Sequence, residues 1–149
     1  IKPEILKPIL YEWSDKLRKN DVEFVHRSYE DIIYSVKEGD FVYMDPPYFN
    51  TKGMYFGGFD FGSFFSFLEN LSKMNIKFAL SFDGKSGEVD KTYSVPETCY
   101  KRHLYIKSGN SSFKRTIGKD KNAVVYESLY LNYDNGKDMR TYRNYKLLA

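Results

Sequence analysis

The sequence predicts an α/β fold, with parallel strands covered by helices and a mixed sheet that ends in an antiparallel hairpin. Three observations carry this. Helix-like and strand-like patterns alternate through residue 82, the order that lays helices over a parallel sheet. The apolar run Phe41-Val42-Tyr43-Met44 stops abruptly at Asp45, so a buried strand delivers a carboxylate at its C-terminal edge. The strand-like segments 100–106 and 123–131 have no helical pattern between them, which fits antiparallel pairing.

Each element has its own signal. Leu6, Ile9, Leu10, Trp13 and Leu17 recur at helical spacing with charges between them, and Pro3 and Pro8 put the firm start of that helix at about Lys7 or Pro8. Residues 22–26 (VEFVH) read as a short strand, and 29–36 (YEDIIYSV) as a helical turn or short helix with Ser28 as a candidate N-cap. Residues 41–44 form the next strand, and a glycine-bearing loop runs to Gly58. Asp60 caps a helix over 61–74, whose apolar stripe is Phe64, Phe65, Phe67, Leu68 and Leu71. Residues 76–82 (IKFALSF) form a strand ended by Asp83-Gly84. Right-handed crossovers would bring the C-termini of the parallel strands to one edge. Residues 134–149 are polar and basic and read as a peripheral tail.

The bulk numbers exclude several classes. With 149 residues, 42% hydrophobic and 29% charged, the chain can build a core and is neither disordered nor membrane-spanning, since a span needs roughly 18 or more consecutive apolar residues. It shows no signal peptide. Cys99 is the single cysteine, so no internal disulfide forms and a cytoplasmic setting is expected. His26, His103 and Cys99 lack the spacing of metal ligands, and no metal is expected. The first residue is Ile1 and a helical pattern begins almost at once; the natural chain is expected to begin further upstream.

Charge is uneven. Residues 101–121 hold Lys101, Arg102, Lys107, Lys114, Arg115, Lys119 and Lys121 against Asp120, a net +6 within an overall +3, which leaves −3 for the rest. Such a segment suits a polyanionic partner, or is simply a solvated hairpin loop. Aromatics make up 18%, and those beside basic residues can stack bases.

The chemistry concentrates in "GDFVYMDPPYFNTKG", residues 39–53. In parallel sheets ligands bind beyond the strand C-termini. Pro46 and Pro47 fix two φ angles and remove two backbone donors, and Pro47 also restrains Pro46. The turn therefore presents acceptors, the Asp45 carboxylate and the Pro46 carbonyl, with the Tyr48 ring beside them. An exocyclic amine is a poor nucleophile because its lone pair is delocalised into the base. Two acceptors on its hydrogens favour a pyramidal nitrogen with a localised lone pair, and an aromatic face holds the base in line. A base paired in a duplex must first be flipped out. Asp-Pro also starts ordinary turns; the following Tyr, at the end of a strand in an alternating α/β order, favours the chemical reading.

These residues resemble a known family. Asp45-Pro46-Pro47-Tyr48 looks like the catalytic motif of S-adenosylmethionine-dependent amino-methyltransferases. The chain around it resembles the D12-class, Dam-like DNA adenine-N6 methyltransferases. "IKPEILKPILYEW", "VEFVHRSYEDI", "FVYMDPPYFNTKGMYFGGFDFGSFFSFL", "IKFALSFDG", "HLYIKSGNSSFKR" and "VVYESLYLNY" are each similar to family segments, over about residues 1–133. The resemblance implies the C-terminal catalytic part of a Rossmann-like S-adenosylmethionine-dependent methyltransferase fold, with 134–149 as tail. It implies Asp45, Pro46, Pro47 and Tyr48 as catalytic residues, and Ser28, Tyr29 and Asp45 near the donor. It also implies Asn110, Ser111, Ser112, Phe113, Lys114 and Arg115 near DNA, with Phe113 bracketing the flipped base.

The family's glycine-rich donor motif and the ribose-binding acid after it have no counterpart here. Gly57-Gly58 and Gly62, with Asp83 beyond, lack the preceding strand that such a motif needs. The resemblance therefore implies a missing N-terminal half, in the same or another chain, that completes the donor pocket. The expected activity is methyl transfer from S-adenosylmethionine to N6 of adenine in DNA, in a bacterial, phage or viral cytoplasm. The alternatives are a non-catalytic nucleic-acid-binding or assembly fragment of a split or truncated methyltransferase, and another amine substrate such as cytosine, RNA or a glutamine side chain. Asp45 favours adenine, because the relatives acting on cytosine or glutamine typically carry Ser or Asn at that position.

Overall fold

A computed structural model describes residues 2–47, 59–110 and 124–134. The chain divides into two compact units, Ile1–Ile32 and Ile33–Ala149.

The first unit is built on helix α1, Pro3–Lys19. It begins earlier than the sequence predicts. Pro3 sits in the first turn, where a backbone N–H has no intrahelical partner to lose. Pro8 lies inside the helix and removes the bond to the Glu4 carbonyl, a loss that solvent offsets because this stretch is exposed. The predicted apolar stripe is present but not buried: Ile9, Leu10 and Trp13 are all exposed. Residues 22–26 do not form the predicted strand. Val22, Phe24 and Val25 are exposed, and β-propensity without a ladder partner leaves the segment irregular. A 3₁₀ helix, Tyr29–Tyr34, follows, opened by the Asp31 amide donating to the Ser28 carbonyl at 3.2 Å.

Among the described residues, the second unit is a mixed sheet with one α-helix. Its strands are β1 (Phe41–Met44), β2 (Lys77–Ser86), β3 (Val89–Asp90), β4 (Arg102–Asn110) and β5 (Val124–Leu131), in the order β1-β2-β5-β4, with β3 paired to β2. The β1–β2 pair is parallel, and the others are antiparallel. Among the described residues, the predicted parallel sheet is thus a single parallel pair extended by the predicted hairpin. Together these elements make a Rossmann-like α/β fold, a mixed sheet with helix α2, Phe61–Lys73, beside it.

Helix α2, Phe61–Lys73, starts where Asp60 predicts: the Gly62 amide and the Ser63 hydroxyl donate to the Asp60 carboxylate at 2.9 and 2.7 Å. These bonds, Ser63's first, hold the Asp60 carboxyl below the usual range. The helix buries Phe64, Phe67, Leu68 and Leu71, each worth about 1.5–3 kcal/mol relative to exposure. Phe78, Leu80 and Phe82 of β2 are fully buried, and the Phe82 ring packs at 5.9 Å from Phe61 of α2. Asn132 ties the layers together. It accepts from the Phe78 amide at 2.8 Å and donates to the Ile76 carbonyl and the Ser72 hydroxyl at 2.8 and 3.1 Å.

Strand β2 does not end at Asp83-Gly84. It runs on to Ser86 through a register irregularity between Phe82 and Lys85. Gly84 permits this. A Cβ there would run into the Tyr126 carbonyl oxygen and lie 2.9 Å from the Ser128 amide nitrogen, so the residue marks a close approach of two backbones and not a turn.

Candidate active site

Strand β1 pairs with β2 in the register Phe41–Lys77 through Met44–Leu80. Continuing that register by one residue sets Asp45 beside Ser81. The side chains meet there: the Ser81 hydroxyl donates to Asp45 Oδ1 at 2.9 Å. Ser81 is buried, whereas Asp45 is exposed at the C-terminal end of β1. A buried donor thus holds a carboxylate that faces outward. Pro46 and Pro47 follow, both half-buried, and restrict the backbone at the edge where a parallel pair presents its ligands. Asp83, also buried, lies two residues beyond Ser81 on the same strand.

The sequence reading did not single out Ser81. Its signal is a hydroxyl inside the otherwise apolar run "KFAL-SF", because a polar side chain in a buried strand needs a partner.

The other predicted positions are distributed as follows. Ser28 and Tyr29 belong to the first compact unit, and Asp45, Pro46 and Pro47 to the second. The Tyr29 hydroxyl donates to Glu30 Oε1 at 3.4 Å. Tyr48 and residues 111–115 (Ser111, Ser112, Phe113, Lys114 and Arg115) lie outside the described residues, as do Gly57 and Gly58. Asn110 is the last residue of β4, opposite Val124 of β5.

Two further features of the second unit bear on chemistry. A cavity of about 330 Å³ at the N-terminal end of β2 is lined by Asn75, Lys77, Cys99, Lys101 and Tyr133 among others, and includes none of the predicted site residues. Burial pushes the Cys99 thiol up. On β4, the His103 imidazole bonds the buried Ser128 hydroxyl at 3.0 Å and stacks on Tyr130. Burial holds that imidazole below its ordinary value and pushes the Tyr130 phenol up to about 12. Among the described residues, no group of three or more His, Cys, Asp or Glu side chains could hold a metal ion, and no helix is long and apolar enough to cross a membrane.

Comparison with known proteins adds the family. The modification methylase StsI of Streptococcus sanguinis is 26% identical over 145 residues, an alignment that covers 88% of this chain and 21% of that protein. The chain therefore spans about a fifth of the length of this curated relative. No solved structure matches the chain significantly. A family model described as D12 class N6 adenine-specific DNA methyltransferase matches residues 2–108.

That range corrects the sequence reading, which takes the resemblance to be a C-terminal catalytic portion over residues 1–133. The match occupies the N-terminal part of this chain and stops short of β5. Alternating segments such as "VVYESLYL" suit any half-buried strand and carry little family signal. The matched stretch contains β1, the Asp45 turn, α2 and β2, and it covers well over half of the chain. With the aspartate edge at its centre, this chain belongs to the S-adenosylmethionine-dependent D12 class of N6 adenine-specific DNA methyltransferases.

Proposed function

We propose that this chain carries the catalytic edge for methyl transfer from S-adenosylmethionine to the N6 amino group of adenine in DNA. The observation that carries the reading is the Asp45 carboxylate, exposed at the end of a parallel strand and fixed by Ser81 at 2.9 Å, with Pro46, Pro47 and Tyr48 directly after it. An acceptor so held suits the hydrogens of an exocyclic amine. The same exposed carboxylate also fits the ammonium group of the donor's methionine end.

When bound, the donor would supply an electrophilic methyl group on a sulfonium, with a neutral thioether as its leaving group, and the amine would give up one of its two protons to solvent. The residues of this chain act on the amine. Asp45 and the Pro46 carbonyl accept from the amine hydrogens and localise the nitrogen lone pair in the direction of transfer. Tyr48 stacks on the extruded base and aligns it. Asn110, Ser111, Ser112, Lys114 and Arg115 meet the DNA backbone, and Phe113 brackets the flipped base; the +6 concentrated in residues 101–121 supports that assignment.

The test is Asp45→Ala in the full-length protein. Removing one acceptor aimed at the reacting centre costs about a hundredfold to a thousandfold in rate. Transfer from a tritiated donor falls by that factor while DNA binding in a gel shift survives. Near-parental turnover would overturn the assignment.

A further inference from the structure

We infer that Ser81 is a positioning residue for the transfer, acting through the Asp45 carboxylate. This rests on the reading of Asp45 above. Strand β2 lies between β1 and β5, so the backbone of Ser81 is braced on both sides: Leu80 is paired to Met44 and Ser81 to Leu129. The serine is only 4% exposed, and its side chain has one rotatable bond before the oxygen. The donor is thereby fixed by the core of the sheet.

Asp45 is in the opposite situation. It is the first residue beyond β1 and exposed, so its carboxylate would otherwise sample several rotamers in solvent. Pro46 narrows the backbone of Asp45, because a residue before proline avoids the helical region. The 2.9 Å bond from Ser81 to Oδ1 fixes the side chain. A charge-assisted bond from a neutral donor is stronger than a neutral pair. It takes one carboxylate oxygen as its anchor and sets the direction of Oδ2. The sheet register thus transmits the rigidity of a buried strand to an acceptor at the surface. A carboxylate turned by an ångström loses its alignment with the amine, and misplacement of that order can cost about a hundredfold in rate.

A structural role for Ser81 alone predicts something else. The hydroxyl would simply be a buried polar group satisfied by a convenient acceptor, and its loss would affect melting but not turnover. The experiment therefore follows kcat, the KM for donor and for DNA, and the melting temperature of the full-length protein, in Ser81→Ala, Ser81→Thr and Asp45→Ala. Ser81→Ala removes one oxygen and adds no volume, and the melting temperature reads any effect on the fold.

The expected result is a kcat about 10- to 100-fold lower in Ser81→Ala, with both KM values within about threefold of the parent. Ser81→Thr keeps the hydroxyl on the same carbon and should recover kcat to within about threefold. Parental kcat in Ser81→Ala, with Asp45→Ala inactive, overturns this inference and leaves the reading of Asp45 standing. Parental turnover in both sinks the reading of Asp45 itself. A loss expressed in KM alone, or a Ser81→Thr variant that melts like the parent yet is as slow as Ser81→Ala, also overturns the positioning role.

Discussion

The imidazole of His103 lies flat on the phenol ring of Tyr130, with centroids 4.2 Å apart and planes 8° from parallel. The two residues are cross-strand partners on β4 and β5, so the stack is a direct product of hairpin register. His103 also bonds the fully buried Ser128 and contacts Tyr105 at 4.7 Å. Tyr130 in turn donates to the Tyr93 carbonyl at 3.0 Å.

This site should make the second unit less stable in acid. Burial disfavours the imidazolium and outweighs the attraction of Asp90, while Lys85 works in the same direction as burial. The folded pKa therefore lies below the ordinary 6.5. As pH falls through 6.5 the unfolded chain takes up the proton first, so stability present above that value declines until the folded pKa is reached. Urea midpoints at pH 7.5 and pH 5.5 should differ in the parent and differ less in His103→Gln. Equal pH dependence in the two proteins would show that His103 does not carry the effect.

Gly84→Ala should destabilise the second unit. The added methyl meets backbone atoms of Tyr126 and Ser128, which cannot swing aside as a side chain would. Forced overpacking of this kind typically costs about 1–3 kcal/mol. Chemical denaturation measures it, and a loss below about 0.5 kcal/mol would mean that β5 yields without penalty.

Asp60→Ala removes the acceptor of the Gly62 amide and the Ser63 hydroxyl at the head of α2. Loss of such a cap lowers stability, whereas Asp60→Asn should retain most of it. Thermal melts of the three proteins rank them; an Asn variant as unstable as the Ala variant would mean that charge, not capping, matters there.

Lys114→Ala and Arg115→Ala should weaken DNA binding and flatten its salt dependence. Each lost phosphate contact lowers the slope of log affinity against log salt by about 0.9 on duplex DNA. Fluorescence anisotropy over a salt series reads the slope, and unchanged slopes in both variants would leave the segment a solvated hairpin.

Much of this protein is written locally. The Asp60 cap with the buried positions Phe64, Phe67, Leu68 and Leu71 forms as its pattern predicts. Phe41–Met44 forms the predicted strand but leaves Phe41 and Tyr43 exposed rather than buried. The strands predicted at 100–106 and 123–131 pair antiparallel as Arg102–Asn110 and Val124–Leu131, the first running four residues further than predicted. Each depends on periodicity or on a cap a few residues away, and so is readable from a short window. The Asp45-Pro46-Pro47-Tyr48 run is likewise local; its chemistry suggests an amine substrate, and its resemblance to a known motif points to the family. What a window cannot contain was decided by the fold. Residues 22–26 have strand composition but no ladder partner, and so form no strand. Asp83-Gly84 looks like a turn yet continues β2, because β5 comes close enough to need a residue without a Cβ. Ser81 and Asp45 are 36 residues apart, and only the parallel register of β1 on β2 makes the hydroxyl of one the anchor for the carboxylate of the other.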